Sequence, residues 1–244
     1  MSLPRDIRAF LSHYHGQTDD PQALQNLLFY KNQLRCQPDD LLISEIHQSW
    51  RKDYIQLEHN HGYIQWLFPI RENGMNFEAQ ALQSHEVAAM KEDPRVIERI
   101  KASYELMLDF YGMSLLDFET GLVGRSEGYR ARYRNFLQAP HNNLRITRIF
   151  KCLSEMGMEH LNAGFLLHVL NEQSEHNQLN TGLLRDSMDR WWANCLRNEA
   201  DRKWIGLTIK KARNGENFNR EQYESSLQRR KESGSLAEPQ CADA

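Results

Sequence analysis

The sequence predicts an all-α fold on three observations. Apolar residues recur at the three-to-four spacing of helices in segment after segment. Asp-Pro pairs stand at 20–21 and 93–94, each a capping acid followed by the residue favoured at a first helical position. No two runs alternate apolar and polar residues across a tight turn, so no convincing strand pair is found.

From the N-terminus, Asp20-Pro21 opens a helix carrying Ala23, Leu24, Leu27, Leu28 and Leu34. Asp39 or Asp40 caps the next, in which Leu42, Ile43, Ile46, Trp50 and Tyr54 recur. Tyr63, Ile64, Trp66, Leu67 and Phe68 form an apolar block ended by Pro69 and too aromatic for a surface helix. It reads either as a buried central helix or as a partly exposed aromatic wall that binds a ligand. Asn73-Gly74 is a turn, and Ser84 precedes a short helix with Glu86 in its first turn. Behind Asp93-Pro94 lies the stripe Ile97, Ile100, Tyr104, Met107, Leu108 and Tyr111, stopped by Gly112. Gly121 to Gly128 reads as a loop. A segment around Tyr129 to Gln138 ends at Pro140, and Asn142 or Asn143 caps a helix whose face is Ile146, Ile149, Phe150, Leu153 and Met156, ended by Gly157. Leu161 to Leu170 is apolar enough to be buried, and Met188 to Leu196, with Trp191 and Trp192, makes a further helix. The expected domain spans residues 3–213, with Trp50, Tyr54, Tyr63, Trp66, Tyr104 and Ile149 in its core. Residues 214–244 read as a charged tail, disordered from about 232, whose removal from Glu232 onward should change stability by no more than about 0.5 kcal/mol.

Composition narrows the function classes. The chain has 244 residues, 40% apolar and 26% charged, which suits a globular core. A net charge of −3 excludes a nucleic-acid binder that is basic overall, so any basic surface is local. Cys36, Cys152, Cys195 and Cys241 form no Cys-x-x-Cys pair, which argues against a zinc ribbon or a redox motif and for reduced thiols. The N-terminus carries no apolar signal region, and no stretch approaches the ~20 apolar residues of a membrane span. The expected location is the cytoplasm and nucleus.

Four features could carry chemistry. Arg125, Arg130, Arg132, Arg134, Arg145, Arg148 and Lys151 form a basic stretch, with Tyr129 and Tyr133 interleaved. It reads as a solvated face or as an anion site for phosphate, nucleic acid or an acidic peptide, with Arg145 and Arg148 on one helix face. The preceding Gly121-Leu-Val-Gly-Arg lacks the Lys-Ser/Thr of a phosphate-binding loop, so no nucleotide or other cofactor is expected. His47, Asp53, Glu58 and His59 would be needed for a helical metal-dependent hydrolase, but the paired His spacing of such sites is absent. No Ser or Cys stands in a nucleophile motif. Lys210-Lys211-Ala212-Arg213 and Arg229-Arg230-Lys231 read as an ordinary charged end or as a nuclear localisation signal.

Three blocks carry a resemblance: Tyr63-Ile-Gln-Trp-Leu-Phe-Pro69, Tyr104-Glu-Leu-Met-Leu-Asp-Phe-Tyr-Gly112 and His141-Asn-Asn-Leu-Arg-Ile-Thr-Arg-Ile149, with Val123-Gly124-Arg125 between the last two. Over roughly Phe29 to Leu170 the chain resembles the opioid growth factor receptor family. The resemblance implies a non-enzymatic intracellular domain that binds a peptide or protein, the enkephalin pentapeptide Tyr-Gly-Gly-Phe-Met in animal members, and that restrains growth. It further implies association with the nucleus and nuclear envelope, and a match to the shared domain without the long repeat-bearing tail of the large animal members. Candidate ligand-binding residues are Tyr63, Trp66, Arg125, Tyr129, His141, Arg145 and Arg148. The alternative is a phosphate-ligand or nucleic-acid binder built on Arg125 to Lys151. A prediction tied to it is that Arg125, Arg145 and Arg148 converge beside Tyr129.

Overall fold

A computed structural model describes residues 3–238, which form a mostly helical single domain with one two-stranded sheet. Helix α1 (Arg5–Leu11) is followed by α2 (Gln25–Tyr30), α3 (Ile43–Ser49), α4 (Tyr54–His59) and α5 (Tyr63–Leu67). Next come α6 (Ser84–Glu92), α7 (Pro94–Phe110), an antiparallel hairpin of β1 (Met113–Asp117) and β2 (Leu122–Arg125), α8 (Tyr129–Gln138), α9 (His141–Glu155) and α10 (Glu159–Ser174). Helix α11 (Gly182–Arg190), a 3-10 turn (Trp192–Asn194), α12 (Glu199–Arg213) and α13 (Arg220–Ser233) complete the chain order.

Helix α10 is the axis of the C-terminal half. Every side chain from Leu161 to Gln173 is buried, and α9, α12, α13 and β2 pack around it. A helix covered on all sides needs partners for its polar residues. Asn162 donates to Phe150 O at 2.9 Å, the Tyr133 hydroxyl meets His168 Nε2 at 2.9 Å, and Glu172 accepts twice from Arg125. In the N-terminal half α7 packs against α2, α3, α6 and β1, its start capped by Asp93, whose carboxylate accepts from Arg95 N–H at 3.0 Å.

Several sequence expectations need correction. The expected loop from Gly121 to Gly128 begins as the turn and second strand of a hairpin over 113–125, and the fold is therefore mostly, not purely, helical. Gly121 makes the hairpin possible: its φ of +77° suits glycine, and its carbonyl oxygen lies 1.7 Å from where a Cβ on Gly164 would sit, so β-turn and α10 touch backbone to backbone. Asp20-Pro21 does not open α2. The Asn26 and Leu27 N–H groups are taken instead by the wholly buried carboxylate of Glu86, reaching from α6, while Asp20 accepts from Gln22 N–H in a turn. The stripe from Leu42 to Tyr54 is broken by Lys52 at φ +64°, after which Asp53 caps α4, so Tyr54 is only half-buried and its hydroxyl donates to Asp109. Trp50, Tyr63, Trp66, Tyr104 and Ile149 are in the core as expected. Helix α9 begins at His141, ahead of the expected asparagine caps, and the helix expected over Met188 to Leu196 is the end of α11 and the 3-10 turn.

The packed body does not stop at residue 213. Tyr223 of α13 is fully buried; its hydroxyl accepts from Val123 N–H at 2.8 Å and lies 3.1 Å from Gly164 O. Past α13, Leu236 is buried too, and Asp201 on α12 accepts from the Leu236 N–H at 2.6 Å and from Ser235 Oγ at 2.9 Å. The charged appearance of 220–233 hides one apolar edge, Tyr223 and Leu227, that meets α10. The remainder of the expected disordered end, and Cys241 with it, lies outside the described residues.

Candidate ligand-binding site

Helix α9 presents His141, Leu144, Arg145, Arg148 and Lys151 along one side, the three-to-four spacing that stacks side chains on a helix face. That face looks into a cavity of about 340 Å³ shared with Asp6 of α1, Ile64 and Gln65 of α5, the segment holding Ile70, Glu72 and Met75, and Trp191. Its rim is apolar and open to solvent: Met75 is 93% exposed and Leu144 74% exposed. Gln65 fixes the Met75 segment by donating Nε2–H to Asn76 O and accepting Asn76 N–H at Oε1, both at 2.8 Å. Gly74 passes so close to Gln65 that a Cβ there would lie 2.3 Å from it.

The three cations of this face are held differently. Arg145 is buried and spreads its guanidinium over the carbonyl ends of α4, donating to Leu57 O at 2.8 Å, Glu58 O at 3.2 Å and Asn60 O at 2.7 Å, with further bonds to Asn142 Oδ1 and His61 Nδ1. It closes the unsatisfied carbonyls of a helix end. Lys151, also buried, sits between Asp6 at 2.9 Å and Glu72 at 2.7 Å, and Tyr14 donates to the same Glu72 oxygen. Arg148 donates through Nε to Phe68 O at 2.8 Å, and among the described residues its two terminal nitrogens have no hydrogen-bond partner and no carboxylate within ion-pair distance. Burial pushes its guanidinium down to about 10, whereas the carboxylate of Glu172 raises that of Arg125. The two shifts have opposite causes: desolvation, only partly offset by Glu72 beyond ion-pair distance, and a direct ion pair.

The structure thus divides the residues expected to bind ligand. His141, Arg145 and Arg148 line one cavity, where His141 Nε2 lies 2.6 Å from Glu58 Oε1. Tyr63 and Trp66 are core residues rather than a ligand wall: the Tyr63 hydroxyl donates to Leu57 O, and Trp66 Nε1 donates to Gln37 O, both at 3.0 Å. Arg125 and Tyr129 lie elsewhere; the Arg125 guanidinium stands over the Tyr129 ring and pairs with Glu172 at 2.7 Å. The predicted convergence of Arg125, Arg145 and Arg148 does not occur, because each guanidinium is drawn to a different element. Lys151 belonged to the basic stretch and Leu144 to a resembling block, but Asp6, Glu72, Met75 and Trp191 come from distant segments and carry no local signal.

The residues weighed for hydrolysis are scattered. His47 meets Ser103 Oγ at 2.9 Å, Asp53 caps α4, Glu58 holds His141 and Asn135, and His59 faces solvent. Among the described residues no group of three His, Cys, Asp or Glu is placed to hold a metal ion, and no helix is long and apolar enough to cross a membrane. Cys36, Cys152 and Cys195 are buried free thiols, and burial pushes all three up.

Comparison with known proteins places these features. Residues 19–224 match the family described as the opioid growth factor receptor (OGFr) conserved region. The mouse opioid growth factor receptor is 44% identical over 177 residues, covering 72% of this chain and 28% of that protein. The human receptor is 44% identical over 164 residues, covering 67% of this chain and 24% of its own length. Mouse opioid growth factor receptor-like protein 1 is 37% identical over 201 residues, covering 82% of this chain and 43% of that protein. The chain therefore spans less than half the length of each of these relatives. No solved structure matches it. The chain belongs to the opioid growth factor receptor family.

Proposed function

We propose that this member of the opioid growth factor receptor family is a non-enzymatic binding domain of the cytoplasm and nucleus that takes a peptide or a peptide segment of a protein into the α9 cavity. The observation that carries the reading is the cavity itself. It is mostly apolar and of about 340 Å³, with a few polar groups fixed by the fold and with exposed apolar side chains at its mouth. Peptide and small-ligand sites have this character. An opioid growth factor peptide is the ligand class that the relatives' names supply, and growth regulation follows from the same source. Binding rather than catalysis is favoured because the thiols among the described residues are buried, Glu72 and Asp6 are taken up by Lys151, and His61 meets Arg145. Exposed Lys210, Lys211 and Lys231 favour nuclear entry, although Arg213 and Arg230 are drawn into ion pairs with Asp189 and Asp201.

The test uses Tyr-Gly-Gly-Phe-Met with the full chain, read by titration calorimetry and by Trp191 fluorescence. Leu144→Asp puts a charge on the rim at an exposed position and should weaken binding about tenfold or more, while Leu207→Asp, exposed on α12, should not. Equal binding by the Leu144 variant would remove the cavity from the function, and no heat from any pentapeptide concentration would remove the opioid ligand.

A further inference from the structure

Three cations face this cavity, and two are fully engaged by protein groups. The Arg145 fork is spent on carbonyl oxygens of the α4 end, and Lys151 holds two carboxylates of its own. Arg148 is different in kind. One nitrogen fixes its position by donating to Phe68 O, and the outer edge of the guanidinium, the two-pronged side that matches a planar carboxylate, has no protein partner among the described residues. The side chain is half-buried, and among the described residues no carboxylate comes within ion-pair distance of its guanidinium, so the open edge meets only solvent in the empty domain. An anionic ligand would pair with that edge.

We infer that Arg148 is the anchor for the C-terminal carboxylate of a peptide whose last residue is apolar and lies in the cavity against Ile64, Ile70 and Leu144. The inference rests on the peptide-binding reading above and adds which end of the peptide enters. The carboxylate and not a phosphate is indicated by the neighbours. Asp6 and Glu72 also line the cavity and share the single positive charge of Lys151, so a doubly charged group beside Arg148 would be repelled more strongly than a singly charged one. The apolar part of the lining then needs an apolar body on the ligand. A volume of about 340 Å³ has room for the last one or two residues of a chain, with the rest leaving over Met75 and Leu144. A free chain end is the natural source of such a planar, singly charged group, and its capture by fixed donors is a known mode of peptide recognition.

The experiment pairs N-acetyl-Phe-Leu as the free acid with the same dipeptide as its C-terminal amide, each titrated into the full chain. The free acid should bind roughly tenfold to a hundredfold more tightly, the difference made by charge-assisted hydrogen bonds in a sheltered site. Arg148→Met keeps the apolar stem and removes the charge. It should abolish the preference, with at most the small fall in melting temperature that loss of the bond to Phe68 O brings. Arg148→Lys keeps a charge but not the fork, and should reduce the preference to about threefold. Equal binding of acid and amide by the parent chain overturns the inference yet leaves the cavity reading standing, provided Leu144→Asp weakens both. An unchanged acid preference in both Arg148 variants overturns it as well. Decanoate and inorganic phosphate serve as the other sources of an anion, and tighter binding of either than of the free-acid dipeptide also overturns it.

Discussion

Ending the chain at Lys231 instead of Glu238 should lower stability by about 3 kcal/mol. The deleted segment contains Leu236, which is wholly buried, and replacing such a leucine by alanine ordinarily costs about 2–5 kcal/mol. It also supplies two of the donors to Asp201, the Leu236 N–H and the Ser235 hydroxyl, leaving that carboxylate with Arg230 at 2.7 Å. Each lost bond to a charged group is worth about 1.5–3 kcal/mol when the site stays dry, but the truncation opens Asp201 to water, so the lower part of that range applies to the pair together. The entropy that the freed segment regains offsets part of this loss and brings the net to about 3 kcal/mol. The assay is urea unfolding of the two chains side by side. With a slope of about 3 kcal/mol per M for a domain of this size, the midpoint should fall by about 1 M. Two further variants divide the effect: Leu236→Ala removes only the apolar contact, and Asp201→Asn keeps the packing while weakening the charged bonds. Midpoints coinciding within about 0.2 M would mean that the segment past α13 does not stabilise the fold and that the buried position of Leu236 contributes nothing.

Trp66→Ala should cost about 3–5 kcal/mol, because the ring is 2% exposed, lies 5.4 Å from Phe29 and loses its bond to Gln37 O; an unchanged thermal midpoint would contradict the core assignment. Stability should also fall below neutral pH. Burial holds His168 at about 3 and His47 at about 4, against about 6.5 in an unfolded chain. A folded pKa below the unfolded one means that the unfolded chain binds more protons, so the stability is complete above about pH 6.5 and declines as the pH drops, by up to about 1.4 kcal/mol per unit for each histidine. Carboxylates do not titrate appreciably between about pH 6.5 and 5, so a flat urea midpoint across that interval would refute the assignment, and His168→Gln should remove part of the slope.

How far the fold could be read in advance depended on whether a signal was local. Helix α7 was legible because its cap, its proline, its stripe and its terminating Gly112 are contiguous. Helix α2 was misplaced because its first N–H groups are satisfied by Glu86, sixty residues away in the sequence from Asn26. The hairpin was missed for a related reason: its strands are five and four residues long, and what fixes them is Gly121 against Gly164 and the Tyr223 hydroxyl on Val123, all contacts with α10 or α13. The tail was misjudged because one buried edge in an otherwise charged helix gives little periodic signal over so short a span.

The candidate site shows the same division inside a single helix. The spacing of Arg145 and Arg148 puts them on one face of α9, and they do share a cavity, with Lys151 of the same basic stretch beside them. Their chemistry was not in that spacing. Arg145 became a helix cap because the carbonyls of α4 end against it, and Lys151 became a clamp because Asp6 and Glu72, from two distant segments, close on it. A charge that serves the fold ends with its hydrogen-bonding capacity met from within, since a buried cation left short lowers stability by several kcal/mol. By that standard Arg145 and Lys151 are explained by folding alone. Arg148 is not: it is pinned by one bond and half-buried, and among the described residues the outer edge of its guanidinium has no hydrogen-bond or ion-pair partner. Departures from full internal satisfaction are expected where a protein meets its ligand, and on α9 that departure falls at Arg148, beside the exposed apolar rim.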